Sequence, residues 1–156
     1  MVVTNYLDMF DDLPNSLRTE IMLYINREIV EKVPFFANCD QVFIGVVVTC
    51  LKSQVCPPGE FIIKQGNRNF IEISLKFLAI IHCQGDFGRE MFFLSRGSVE
   101  ILIEDKETKM PIAVKTLSDG AYFGEYALLY HERRSASVRA LTYCDLYILT
   151  KDDFNR

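Results

Sequence analysis

A carboxylate and a guanidinium nine residues apart carry most of the chemical information in this chain. Glu125 follows Gly124 in the string Gly120-Ala121-Tyr122-Phe123-Gly124-Glu125-Tyr126-Ala127-Leu128-Leu129-Tyr130, and Arg134 and Ser135 stand on the approach to Val138-Arg139-Ala140. A helix opening near Glu125 would present unpaired backbone N–H groups and the positive end of its dipole, which attract a phosphate. Gly124 would let the backbone turn sharply and approach a ligand closely. A carboxylate beside a phosphate is repulsive, so Glu125 fits there as the acceptor for a hydroxyl, such as a ribose 2′-OH. Arg134 would supply the countercharge, its planar fork matching two phosphate oxygens. Charge-assisted contacts of this kind are worth about 1.5–3 kcal/mol each. Singly, a glutamate in a first helical turn commonly just complements the dipole, and His131-Glu132-Arg133-Arg134 commonly forms a solvated turn. Their joint occurrence points to a ligand that combines sugar and phosphate.

The elements that must hold these groups can be read from periodicity. Residues 1–37 read as helical, with Pro14 at a first helical position and Leu17, Ile21, Ile25 and Ile29 recurring as an apolar stripe. Pro34 stops that run. Asp40 is a candidate N-cap for a second helix, whose buried face is predicted to carry Val42, Phe43, Val46, Val47, Cys50 and Leu51. Beyond Lys52 the period changes to two. Phe61-Ile62-Ile63 reads as a buried strand, and Val99, Ile101 and Ile103 alternate with Ser98, Glu100 and Leu102 as a strand facing a core. Asp105 to Lys109 reads as a hairpin turn, Ile112 to Leu117 as the return strand, and Cys144 to Leu149 as the closing strand. Short strands with glycine turns and flanking helices predict a mainly β fold, an antiparallel β-roll of the jelly-roll type. Regular strand would point Arg134 and Ser135 to opposite faces, so both can meet one phosphate only where the chain is irregular or through the Ser135 backbone. Phe92, Phe93, Tyr122, Phe123, Tyr126 and Tyr130 could stack on a base, but their spacing in strands favours core packing.

Composition narrows the classes. With 156 residues, 49% hydrophobic, the chain fits one compact module. A net charge of −4 argues against nucleic-acid binding, which needs a basic face. Five cysteines, at 39, 50, 56, 83 and 144, form no C-x-x-C pair and read as reduced thiols in a cytosolic compartment. The apolar runs 42–51 and 70–83 are too short to span a bilayer. His82 and His131 lack a nucleophile–base constellation, so no catalytic residue, metal or cofactor is expected.

The 120–140 string resembles the phosphate-binding cassette of cyclic-nucleotide-binding domains. Lys32-Val33-Pro34-Phe35-Phe36-Ala37-Asn38-Cys39-Asp40 is similar to the opening of that domain in hyperpolarisation-activated and cyclic-nucleotide-gated cation channels. Pro58-Gly59-Glu60-Phe61-Ile62-Ile63-Lys64-Gln65-Gly66 and Gly85-Asp86-Phe87-Gly88-Arg89-Glu90-Met91-Phe92-Phe93-Leu94-Ser95-Arg96-Gly97 resemble its first turns and strands. Leu13-Pro14-Asn15-Ser16-Leu17-Arg18-Thr19-Glu20-Ile21 resembles the end of the linker from the channel pore. The resemblance implies a linker tail over 1–37 and a binding roll over 38–156. Its ligand would be cAMP or cGMP, held by Gly124, Glu125, Tyr126, Ala127, Arg134 and Ser135, with Ile101, and secondarily Leu117, against the base. It further implies a regulatory module on the cytoplasmic side of the plasma membrane, partnered by other subunits of a homo- or hetero-tetramer. Membrane attachment would run only through a parent region outside this chain. Ser135 matches the channel branch and is linked in the family to accepting guanine, whereas Ala127 resembles kinase regulatory subunits. A module of a kinase subunit or exchange factor, and a ligand-free scaffold of a voltage-gated potassium channel, therefore stay open.

Two departures from the family stand out. Residues 67–84 interrupt a tight turn with several large apolar side chains. Loop closure costs only about 0.6 kcal/mol per doubling of length, so the exposed apolar surface is the real liability. The segment reads as a translated intron, with a genuine insertion as the alternative, and transcript sequencing distinguishes them. The chain also ends before the family's lid helix, which implies weak binding and no transmission of gating by this fragment alone.

Overall fold

The computed structural model describes residues 12–64, 88–130 and 134–155, without the side chains of 127–129. The 67–84 segment, His82, Cys83 and His131 lie outside the described residues. Helices α1 (Asn15–Ile25), α2 (Arg27–Lys32) and α3 (Gln41–Cys50) precede strands β1 (Lys52–Cys56) and β2 (Phe61–Ile63). Strands β3 (Glu90–Arg96), β4 (Ser98–Glu104), β5 (Pro111–Ser118) and β6 (Tyr122–Phe123) lead to helix α4 (Glu125–Tyr130). Strands β7 (Ser137–Ala140) and β8 (Cys144–Thr150) and a final turn of helix α5 (Lys151–Phe154) complete it. The strands form two four-stranded antiparallel sheets, ordered β1-β8-β3-β6 and β2-β7-β4-β5. The fold is mainly β with flanking helices, as the strand pattern predicts, and is a β-roll.

Strand β3 explains how the two halves join. Its run Met91-Phe92-Phe93-Leu94 is apolar on both faces, the mark of a strand covered on both sides. Phe92 and Leu94 point between the sheets, with Ile63, Val99, Phe123, Val138 and Leu146. Met91 and Phe93 point the other way, into a second core with Met22, Ile29, Phe36, Val47 and Val48 of the helical region. Aromatic contacts bind that seam, with the Phe36 and Phe93 rings 5.1 Å apart. Strand β8 lies inside its sheet, between β1 and β3, rather than at its edge.

The expected helical faces hold only in part. Ile29 is buried as read, but Leu17 and Ile25 are exposed, and Met22 and Asn26 are buried in their place. The i+4 stripe fails because α1 ends at Ile25, where the Asn26 amide Nδ2 donates to Met22 O at 2.9 Å before α2 begins. Pro14 stands immediately before the first helical residue. Asp40 does cap α3, its Oδ1 accepting from the Phe43 N–H at 2.8 Å. On the α3 face Val47 and Leu51 are buried as read, but Val42 is 78% exposed and Val46 is exposed, while Ile44 and Val48 are buried instead. This helix is apolar nearly all round, so periodicity cannot choose its face. Gly45 does, because a Cβ there would stand 3.1 Å from Thr19 Cγ2 of the helical tail. The β4 alternation also slips. Leu102 is buried and Ile103 exposed, and the pairing with β5 shifts register between Ile101 and Leu102. The Asp105 turn forms as read, with Oδ1 accepting from the Glu107 and Thr108 amides.

Candidate functional site

Gly124 is the pivot between β6 and α4. It adopts φ +86°, and a Cβ there would stand 2.7 Å from Arg134 Nη1 and 3.1 Å from Glu90 O. Only glycine combines that backbone with that approach. Helix α4 opens at the next residue, Glu125, whose early amides have no partner within the helix. Strand β7 starts at Ser137, so Arg134 and Ser135 lie in irregular chain before it. The opposite-face restriction of regular strand therefore does not apply to them.

These residues surround one cavity of about 280 Å³. Gly124, Glu125, Tyr126, Arg134, Ser135, Ile101 and Leu117 all line it. Ala127 is in α4, but its side chain is outside the described residues. Glu125 and Arg134 act on each other electrostatically, the carboxylate favouring the charged guanidinium. The two groups thus face a common space from different elements.

Arg134 is 4% exposed. Its Nη2 donates to the Glu90 backbone oxygen at 2.7 Å and meets Glu90 Oε2 at 3.5 Å, while Nη1 donates to Gly124 O at 3.2 Å. Burial lowers its pKa most, and the Glu90 and Glu125 charges oppose that. A guanidinium stays charged in either case. Its Nε is buried without a hydrogen-bond partner. An orphan donor of this kind costs about 1–3 kcal/mol unless an acceptor reaches it. Arg134 lines the cavity, so its wall holds a fixed positive charge, which suits an anion.

Sequence reasoning missed several lining residues. Ile63, Lys115, Ala136 and Val138 face the cavity, as do Tyr122 and Phe123. Phe123 serves both roles, stacking on Phe92 at 5.4 Å while lining the cavity. Glu90 lies behind Arg134, and no local motif announces it, since strand pairing alone brings β3 to β6. Among the described residues no group of three or more His, Cys, Asp or Glu could hold a metal. Among the described residues, too, no helix is long and apolar enough to cross a membrane.

Comparison with known proteins decides the family. The description "Cyclic nucleotide-binding domain" matches residues 72–156, more than half of the chain. The chain belongs to the cyclic nucleotide-binding domain family. This cyclic nucleotide-binding domain is 39% identical over 154 residues to potassium/sodium hyperpolarization-activated cyclic nucleotide-gated channel 2 of Mus musculus, covering 94% of the chain and 15% of that protein. It is 38% identical over 154 residues to channel 4 of Oryctolagus cuniculus, covering 94% of the chain and 11% of the relative. Channel 1 of Oryctolagus cuniculus is 35% identical over 149 residues, covering 95% and 14%. The domain thus spans a small part of the curated channels it matches, and its family is a regulatory, non-enzymatic one.

Proposed function

We propose that this domain binds cAMP or cGMP and thereby modulates the opening of a tetrameric cation channel. The observation that carries the proposal is that the Glu125 carboxylate and the buried Arg134 guanidinium line one cavity from different elements. Arg134 takes the phosphodiester charge, with the Ser135 hydroxyl or amide beside it. Glu125 accepts the ribose 2′-OH, and the Gly124–Ala127 backbone brings the first amides of α4 toward the phosphate. Ile101 and Leu117 cover the base. The similar proteins are named as cyclic nucleotide-gated potassium/sodium channels, which favours the channel setting over a kinase subunit. In that setting residues 1–37 form the end of a linker, and residues 38–156 the binding roll on the cytoplasmic side of the membrane. Ligand need only bind one arrangement of the helices better than another to shift the channel.

Titration of cAMP and cGMP into wild type and Arg134→Glu tests the reading. Wild type should bind at least one nucleotide, and the variant should lose about a hundredfold or more in affinity, as two charge-assisted bonds are removed. Arg134→Gln, with thermal unfolding followed in parallel, separates lost binding from lost folding. Equal affinity in wild type and variants would overturn the role of Arg134, and no binding by wild type would leave only a ligand-free scaffold.

A further inference from the structure

One sheet presents a single file of side chains to the cavity. Ile63 of β2 pairs with Val138 of β7, Val138 with Ile101 of β4, and Ile101 with Lys115 of β5. All four line the cavity. The file begins at the Arg134 end, where Ile63 Cδ1 lies 3.6 Å from the position of a Gly124 Cβ. Three strand spacings, roughly 14 Å, separate its two ends. Three members are apolar and the last carries an ammonium. The register shift in β5 falls just before Lys115, which holds it opposite Ile101. Leu117, two residues on, shares its face and the cavity. Among the described residues Lys115 has no ion-pair partner.

A second cation at this distance is not needed for a phosphodiester already faced by Arg134. It meets whatever part of the ligand lies at the far end of the apolar file. We propose that Lys115 reads the edge of the purine and selects guanine over adenine. This rests on the assignment of the cavity as a cyclic-nucleotide site. A lysine ammonium has three donors and no acceptor. Guanine offers N7 and O6 as adjacent acceptors, whereas adenine keeps N7 but places the N6 amino donor where O6 would be. The ammonium is therefore satisfied twice by a 6-oxo purine and opposed at one position by a 6-amino purine. Neighbouring Ile101 and Leu117 supply the flat apolar wall and cannot discriminate.

The test is a set of titrations with cAMP, cGMP and cIMP on wild type, Lys115→Met and Lys115→Arg. The hypoxanthine of cIMP keeps O6 and N7 but lacks the 2-amino group, so it isolates this contact from any made by Ser135 to that group. Wild type should bind cGMP and cIMP about tenfold more tightly than cAMP, an exposure-discounted value for a charged hydrogen bond. Lys115→Met should remove that preference by weakening both 6-oxo nucleotides while moving cAMP less than about threefold. Lys115→Arg, which keeps the donors, should retain the preference. If Lys115→Met shifts all three nucleotides equally, or none, the base-reading role is overturned and the site stands. If wild type binds none of the three, the site assignment itself fails.

Discussion

At the scale of single residues, the site depends on one backbone conformation. Gly124 holds φ +86° with Arg134 and Glu90 packed against the position where a side chain would begin. Gly124→Ala should destabilise the domain by about 1–3 kcal/mol, the usual range for a strained non-glycine residue. It should also push the guanidinium off its carbonyl partners. Urea denaturation measures the first effect, and a weaker nucleotide titration with the fold intact measures the second. Unchanged stability would mean that the turn can relax. Glu125, Arg134 and Gly124 were legible because a short run of local sequence contains all three, with side-chain chemistry that fits one ligand. Glu90 and Lys115 were not, because each reaches the site through strand pairing across long sequence separations.

At the scale of elements, capping and turn residues were readable, and faces only in part, with Ile29, Val47 and Leu51 buried as read and Leu17, Ile25, Val42 and Val46 exposed. Asp40 was identifiable as the α3 cap because its chemistry is local, and the structure shows the bond to Phe43 N–H. Asp40→Ala should cost about 1 kcal/mol and lower the melting temperature by a few degrees. A differential scanning calorimetry trace identical to wild type would show that α3 is held by packing alone. The α1 and α3 faces needed information the sequence does not carry locally. A break at Asn26 rotates α2 relative to α1, and close approach at Gly45 selects among several apolar sides of α3. The β4 alternation failed for a similar reason, since the register shift belongs to its pairing with β5.

For the whole molecule, β3 ties the helices and the roll into one unit. Phe93 is fully buried in the core that holds Met22, Ile29 and Val48. Phe93→Ala should cost about 3–5 kcal/mol. Helical and β signals should then be lost together, in one transition seen by far-ultraviolet and near-ultraviolet dichroism. Two separated transitions would refute the shared core. Alkaline pH probes the other core. Burial pushes the Cys56 thiol up from 9.0 to about 11, with the Glu60 and Cys144 charges adding to it. The folded state holds that proton more tightly than the unfolded chain does. Its contribution to stability is therefore complete below pH 9 and is lost as pH rises toward 11. The Cys144 and Tyr147 groups, also raised by burial, act in the same direction. Cys56→Ala should make the fall in unfolding free energy with pH shallower across that window, and an unaltered slope would exclude Cys56 as a contributor.

The amino-acid order alone determined the fold class and the short run from which Gly124, Glu125 and Arg134 come to line one cavity. Those properties reside in short runs whose side-chain types and turn chemistry act over a few residues. Only the tertiary structure decided which helical faces are buried, which carboxylate stands behind Arg134, and which side chains form the file from Ile63 to Lys115. Each of those outcomes depends on strand register and close approach between distant segments, which are set by the packing of the whole chain and not by any local pattern.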